Sequence, residues 1–461
     1  MIPKRWIENA LARSMRTGGD FAEIYAEDAR GTAMTLMDGK VENMSGSRSR
    51  GVGLRVYKGF LSVYVYGNDM TEAGLMRLAD QAADAVGEIR AAEGTVRLTG
   101  SVCPNIHPVK MLPCDIEGAR KAELLRRASS AAKEYDPEIA QVVASLQASE
   151  KEVLIANSEG LMVPDRRIRT RMFVQAVASA NGESQTGMES PGALKGFEFL
   201  ENEIDVAEMG RSAAKTAVTM LHAEPCPAGI MPVIIDGGFG GVIFHEACGH
   251  SLEATGVALG NSEFCGKLGQ QIASPIVTAI DDGTMPGEWG STNIDDEGTP
   301  TTRLVLIENG ILKNYMIDRL NARRMEMPVT GSARRQDYTF APTSRMRNTF
   351  IAPGNDDENE MIATAGTALY CKKMGGGSVN PVTGEFNFAV GEGYLVKDGK
   401  IDRPVRGATL IGKGADTLMK IDRVGKKMWM AQGMCGSLSG SVPTNVGQPR
   451  IRVSSMTVGG R

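Results

Sequence analysis

Only four histidines occur in the 461-residue chain, and two of them bracket a glutamate in the run His245-Glu246-Ala247-Cys248-Gly249-His250. Neutral imidazoles are good zinc ligands, and a glutamate beside the first of them can take a proton from a water on the metal. The pattern is HExxxH, one residue wider than HExxH. Residues four apart on a regular helix lie about 40° apart around the axis, whereas residues five apart lie about 140° apart. A regular α-helix therefore cannot point both rings at one metal. One wide turn with i to i+5 bonding would return them to the same side, and Gly249 is expected to ease that distortion. The competing reading is a buried amphipathic helix whose histidines are merely hydrogen bonded.

Two histidines leave a catalytic zinc site short of a protein ligand. His107 and His222 stand in unremarkable contexts and read as surface or satisfied polar residues. Cys248 is two residues from His250, would point to another side of the helix, and reads as a small packed hydrophobe. Cys435 lies in Gln432-Gly433-Met434-Cys435-Gly436, read as a flexible glycine-rich turn from which a thiolate could approach a metal. The alternative for any one cysteine is an inert buried thiol.

Positioning such groups requires a large fold, and 461 residues with 42% apolar and 23% charged side chains suffice for two or three domains. Lys plus Arg number 51 against 55 for Asp plus Glu, a formal charge of -4, so no strong field is available to hold nucleic acid or an anionic membrane. The opening MIPKRWIENALARSMRTGG reads as a short amphipathic helix and not as a secretory signal, and no eighteen apolar residues run together. Seven scattered cysteines do not form a disulfide framework, which makes a reducing cytoplasm the expected location.

In the first half, short strands are expected at 21–28, 32–37, 41–45, 51–57 and 60–66, with a hairpin turn at Asp38-Gly39. Helical spacing marks 71–86, 116–135 and 204–222, and further strands fall at 140–147, 152–156, 160–163 and 168–179. Pro225-Cys226-Pro227 breaks regular structure and sets the expected division into an N-terminal α+β domain, 1–225, and a strand-rich C-terminal domain, 226–461, that carries the zinc-site helix. Only 245–257 and 357–369 look helical in the second half. The fold class is α+β, two domains built on antiparallel sheets, because strands cluster, hairpins connect them and regular βαβ alternation is missing.

The sequence resembles the TldD/PmbA metallopeptidases, and within them the catalytic TldD branch. The matching motifs are HEACGHSLE at His245 to Glu253, IDDEGTP at Ile294 to Pro300, LIENGIL at Leu306 to Leu312, the series Arg335, Pro342, Arg345, Asn348, Thr349, then RGATLIG at Arg406 to Gly412, MCG at Met434 to Gly436, VGQP and a terminal TVGG. The resemblance implies that His245, His250 and Cys435 hold Zn²⁺ with Glu246 as general base. It also implies a zinc peptidase that hydrolyses extended or unfolded peptides, working as a homo-dimer or as a hetero-dimer with a PmbA-type subunit. The PmbA branch lacks the zinc motif, so HExxxH argues for the catalytic branch. An extended substrate can be held by adding to a sheet edge.

The rival reading is a non-catalytic binding or modulator protein with a structural metal site. Glu246 argues against it, because a structural site needs no carboxylate beside its ligand. Asp295, Asp296 and Glu297 read as a solvated acidic turn and are not assigned to a metal. Arg334, Arg335 and Arg345 could dock a peptide carboxylate, with surface arginines the commoner case. The glycines of GGFGG at Gly237 to Gly241 would let backbone approach substrate; the Lys-Ser/Thr ending of a phosphate loop is absent.

Overall fold

The computed structural model describes residues 2–87, 94–380 and 382–460. Its first half is an antiparallel sheet made from two long hairpins. Phe21–Met37 and Lys40–Lys58 pair across Asp38-Gly39, where both residues adopt positive φ (46° and 77°), and Leu61–Gly67 continues the meander. Ile139–Asn157 and Leu161–Ala180 form the second hairpin, joined to the first through Phe21–Met37. These strands run 17 to 20 residues, about twice the expected lengths. The residues that fell in the expected breaks, such as Ala29 to Gly31 and Pro164 to Arg167, stay in the ladder, because a strand requires only that alternate side chains find suitable faces.

One face of this sheet is covered by two helix pairs. Lys4–Ser14 and Glu72–Val86 bring Ile7, Leu11, Leu75 and Ala79 against Ala22, Ile24, Leu54 and Val56. Gly118–Lys133 and Val206–Leu221 bring Leu125, Ala128, Ala213 and Ala217 against Leu36, Ala144, Leu146 and Val174. Thr71 and Asp205 cap two of these helices by accepting backbone N–H bonds.

In the second half, Gly229–Ile235 lies between Ala368–Val379, parallel, and Ile451–Gly459, antiparallel. The path continues through Thr409–Lys413 to Glu385–Lys397, which pairs back with Ala368–Val379 and closes a five-stranded barrel. A second sheet runs from Ile311–Leu312 through Arg303–Glu308, Ala279–Asp282, Asn348–Ile351 and Gly440–Gln448 to Trp429–Ser437 at its edge. The two short helices Arg319–Met325 and Gly414–Met419 were not foreseen, and of 357–369 only Glu358–Ala363 is helical. Ala368 begins a strand because Leu369 and Cys371 are needed in the barrel core.

Among the described residues the only strands that pair across the 225/226 boundary are the two-residue strand Glu224–Pro225 and Lys400–Arg406; buried side chains supply much of the rest of the junction. The sheet face opposite the helices presents Glu23, Arg55, Asp165 and Arg167, all buried. Arg55 bonds both Glu23 (2.9 Å) and Glu297, Arg167 bonds Asp296 (2.5 Å), and Arg335 bonds Glu23 (2.9 Å). Asp295 accepts from the backbone of Glu297, Thr299 and Ala333. The expectation of a solvated turn at Asp295, Asp296 and Glu297 is thus corrected: all three are buried, Asp296 and Glu297 against arginines of the other half and Asp295 against backbone N–H groups of its own.

Candidate metal centre

The site begins with glycines that let chain lie on chain. A Cβ at Gly241 would sit 2.6 Å from Gly447 backbone atoms, and one at Gly237 would sit 2.6 Å from the Trp429 ring. The close approach that GGFGG permits is therefore to the chain's own strands, not to substrate. From this footing Val242–Phe244 opens a helix whose Ile243, Phe244, Ala247, Cys248 and Leu252 join the barrel's apolar core. Cys248 is packed there, as expected.

Over His245–Gly249 the helix widens to a π turn, and the His250 N–H bonds to the His245 carbonyl. The i to i+5 bond places the two rings on one side, centroids 5.1 Å apart and nearly perpendicular (83°). Gly249 does not act as expected, since its φ of -57° suits any residue. It is small because a Cβ there would lie 2.2 Å from Met346 Sδ. Cys435 reaches the pair from 185 residues away, with Sγ 3.2 Å from His250 Nε2 and 3.4 Å from His245 Nε2. The three donor atoms lie within 4.8 Å of one another. Cys435 is not in a turn: it stands in Trp429–Ser437 opposite Val442, held by a strand ladder. Of the other histidines, His107 is buried and accepts the Gly287 N–H (3.0 Å), its pKa lowered to about 4 by burial, while His222 is exposed beside Glu138.

The electrostatics divide the two rings. Burial and the neighbouring positive groups hold His245 neutral, as a metal ligand must be. Burial alone would do the same to His250, but Glu253 and Cys435 beside it outweigh burial and raise its affinity for a proton. The negative surroundings that would stabilise a proton at Nε2 would equally stabilise a metal cation there. Glu246 Oε2 lies 3.6 Å from His250 Nε2, and burial lifts its carboxyl above the usual range. Glu253 Oε2 sits 3.1 Å from His250 Nδ1, the arrangement by which a carboxylate orients a ligating imidazole. Glu253 was given no role from sequence, although its i+3 spacing from His250 was visible.

Models of three PmbA/TldA metallopeptidase domains match the chain in order: domain 1 over 22–86, the central domain over 112–221 and the C-terminal domain over 228–460. A Haemophilus influenzae protein named metalloprotease TldD homolog is 35% identical over 452 residues, covering 96% of this chain and 93% of its own. The chain belongs to the PmbA/TldD metallopeptidase family. A metalloprotease of Methanothermobacter thermautotrophicus is 33% identical, covering 96% of both chains. Two solved structures share the fold of this PmbA/TldD member. A Thermotoga maritima protein described as a modulator of a DNA gyrase aligns with a TM-score of 0.81 at 21% identity over 99% of both chains. TldE from Thermococcus kodakarensis aligns with a TM-score of 0.76 at 19% identity over 98% of this chain and 99% of its own.

The three singled-out arginines of this family member are all buried, which corrects the expectation of surface or substrate-docking groups. Arg334 bonds the Met346 carbonyl (2.6 Å), Arg335 serves the junction between halves, and Arg345 lies behind Cys435. None presents a free fork to a peptide carboxylate. No described helix is long and apolar enough to cross a membrane.

Proposed function

We propose that this chain is a zinc-dependent peptidase of extended or unfolded peptides, with His245, His250 and Cys435 as ligands and Glu246 as general base. The observation that carries the reading is the convergence of two imidazole nitrogens and one sulfur, with the Glu246 carboxylate 3.6 Å from His250 Nε2. Two nitrogens and a thiolate suit zinc, and three ligands leave a fourth position open. Zinc bound there would supply Lewis acidity toward the scissile carbonyl and acidify a water. Glu246 stands on the ligand side of its helix, with its side chain 28% exposed, where it can accept a proton at its carboxylate and return it to the departing amine.

Substrate binding follows from the place of the third ligand. Trp429–Ser437 is the edge strand of its sheet, so an extended peptide added along it would pass Cys435 with its scissile bond near the ligands. Trp289 Nε1 occupies the Gly433 carbonyl (2.9 Å), and the exposed Met434, Gly436 and Ser437 lie beyond it. Recognition of backbone at such an edge tolerates varied side chains. We divide the chain at 225/226 and place the protein in the cytoplasm, acting without nucleic acid. We take the working form as a dimer, either of two copies or with a PmbA-type subunit; the fold shared with TldE supports the second form.

The test is purified, zinc-loaded protein incubated with an unfolded peptide mixture and read by mass spectrometry, with Glu246→Ala beside it. The variant is expected to keep its metal and fold and to lose at least about 10²-fold in hydrolysis. Near-normal turnover by a metal-loaded Glu246→Ala protein would refute the assignment. Loss of hydrolysis on chelation with a partner complex left intact would separate the peptidase from the modulator reading.

A further inference from the structure

One buried cation touches the supports of two of the three donors. Arg345 follows the short strand Thr343–Ser344, and its side chain has no exposure to solvent. Its Nη1 donates to Ser439 Oγ (3.0 Å) and to the Gly440 carbonyl (2.9 Å), and its Nη2 donates to the Cys435 carbonyl. These acceptors flank the turn that closes the hairpin between Trp429–Ser437 and Gly440–Gln448. On its other side, Arg345 Nε faces Glu253 Oε1 at 3.8 Å, and the second oxygen of that carboxylate holds His250 Nδ1 at 3.1 Å.

The same segment is fixed from outside. Gln336 donates its N–H to the Ser439 carbonyl (2.9 Å) and accepts from Ser441 N (2.9 Å), so the turn lies between Gln336 and Arg345. Residues 335–338 are in turn tied to the first half. Arg335 bonds Glu23 (2.9 Å), Lys151 bonds the Gln336 carbonyl (2.8 Å), and Tyr64 Oη donates to the Tyr338 carbonyl (2.7 Å).

We propose that Arg345 is a positioning residue that sets the Cys435 sulfur and the His250 ring as one unit, and that through residues 335–345 the first half of the chain braces the metal centre. This rests on the metal reading above. The planar guanidinium is the group suited to the task, because its fixed fork spans the hairpin turn on one side and the Glu253 carboxylate on the other. A lysine ammonium is a single point and would serve one side only. A buried charge with several acceptors also resists displacement, since moving it would leave it uncompensated.

The experiment compares full-length wild type, Arg345→Lys and Ser439→Ala. Zinc affinity is measured by competition with a chelating indicator. The thiolate-to-metal absorption band of the cobalt-substituted protein is recorded, and folding is followed by circular dichroism under chelator. Arg345→Lys is expected to weaken zinc binding about 10- to 100-fold, the range for loss of a group supporting metal ligands, and to shift the cobalt band. Ser439→Ala removes one anchor and is expected to lose affinity in the same direction by a few-fold, which keeps a test in hand should Arg345→Lys not fold. Gly210→Ala, a destabilising change in the first half's helix pair, serves as control and should leave both metal readouts unaltered. Wild-type affinity and cobalt spectrum in either folded variant overturn the proposal. Wild-type protein that takes up no zinc overturns the metal reading and this inference with it. Zinc uptake without peptide cleavage overturns the peptidase reading alone.

Discussion

Gly249 offers a prediction whose sign depends on its neighbour. Its backbone (φ -57°, ψ -49°) is helical, so alanine there would gain about 1 kcal/mol from reduced chain entropy alone. Against this, the new Cβ would lie 2.2 Å from Met346 Sδ and 3.1 Å from its Cε, and Met346 is itself buried. Displacing a packed side chain by more than an ångström costs about 1–3 kcal/mol. Gly249→Ala should therefore be neutral to about 2 kcal/mol destabilising in the wild-type background. In Met346→Ala, where the obstructing sulfur is gone, the same change should stabilise by about 1 kcal/mol. The coupling between the two sites is then about 1–3 kcal/mol. Urea unfolding of the four proteins under chelator measures it without a contribution from metal binding. Zinc affinity should fall in Gly249→Ala, because Met346 adjoins Arg345 and its N–H donates to Glu253, and should recover in the double variant. Effects of Gly249→Ala that agree within about 0.5 kcal/mol in both backgrounds would refute the steric account.

Three further outcomes follow from the same structure. Cys435→Ala should no longer carry one zinc per chain through gel filtration; full occupancy by metal analysis would remove the cysteine from the site. Glu297, pushed up to about 8 by burial with Arg55 opposing, has a folded pKa above its unfolded value, so its stabilising contribution is complete below about pH 4.5 and fades as pH rises through 8. The stability of Glu297→Gln minus that of wild type should accordingly rise between pH 5 and 9, and a signed difference that stays constant or falls in denaturation at those pH values would contradict this. Gly210→Ala would place a Cβ 2.1 Å from the Ala128 carbonyl oxygen, where two helices meet backbone to backbone, and should cost about 1–3 kcal/mol with zinc affinity unchanged; an unaltered unfolding midpoint would show that the helices part freely.

What could be read from the chain alone was what local spacing determines. The convergence of His245 and His250 was legible because five-residue spacing admits few geometries that bring two rings to one side, and the wide turn was one of them. Asp38-Gly39 was legible because both residues tolerate the positive φ of a tight hairpin turn. The lengths of the strands were not, since Arg30 and Arg167 look like interruptions until Glu150 and Asp296 stand opposite them. The same applies to Asp295, Asp296, Glu297 and Arg345. Hydropathy treats a charge as if alone, whereas burial depends on partners up to hundreds of positions away, as between Glu23 and Arg335.

The separation of the donors in sequence also bears on how the centre forms. His245 and His250 are brought together by one turn of helix, but Cys435 joins them across 190 and 185 residues, from a hairpin seated against Arg345 and Gln336. A donor set assembled in this way does not pre-exist in the unfolded chain, so the free energy of metal binding adds to the stability of the folded second half. Because residues 335–338 bond directly to the first half, part of that gain depends on the junction between the halves remaining intact. Loosening the junction should thus lower metal affinity even though Glu23, Lys151 and Tyr64 make no contact with a donor atom, whereas weakening the first half's helix pair should not. The two kinds of damage differ in whether the strain reaches the Cys435 hairpin, and that difference, rather than overall stability, decides whether the metal is held.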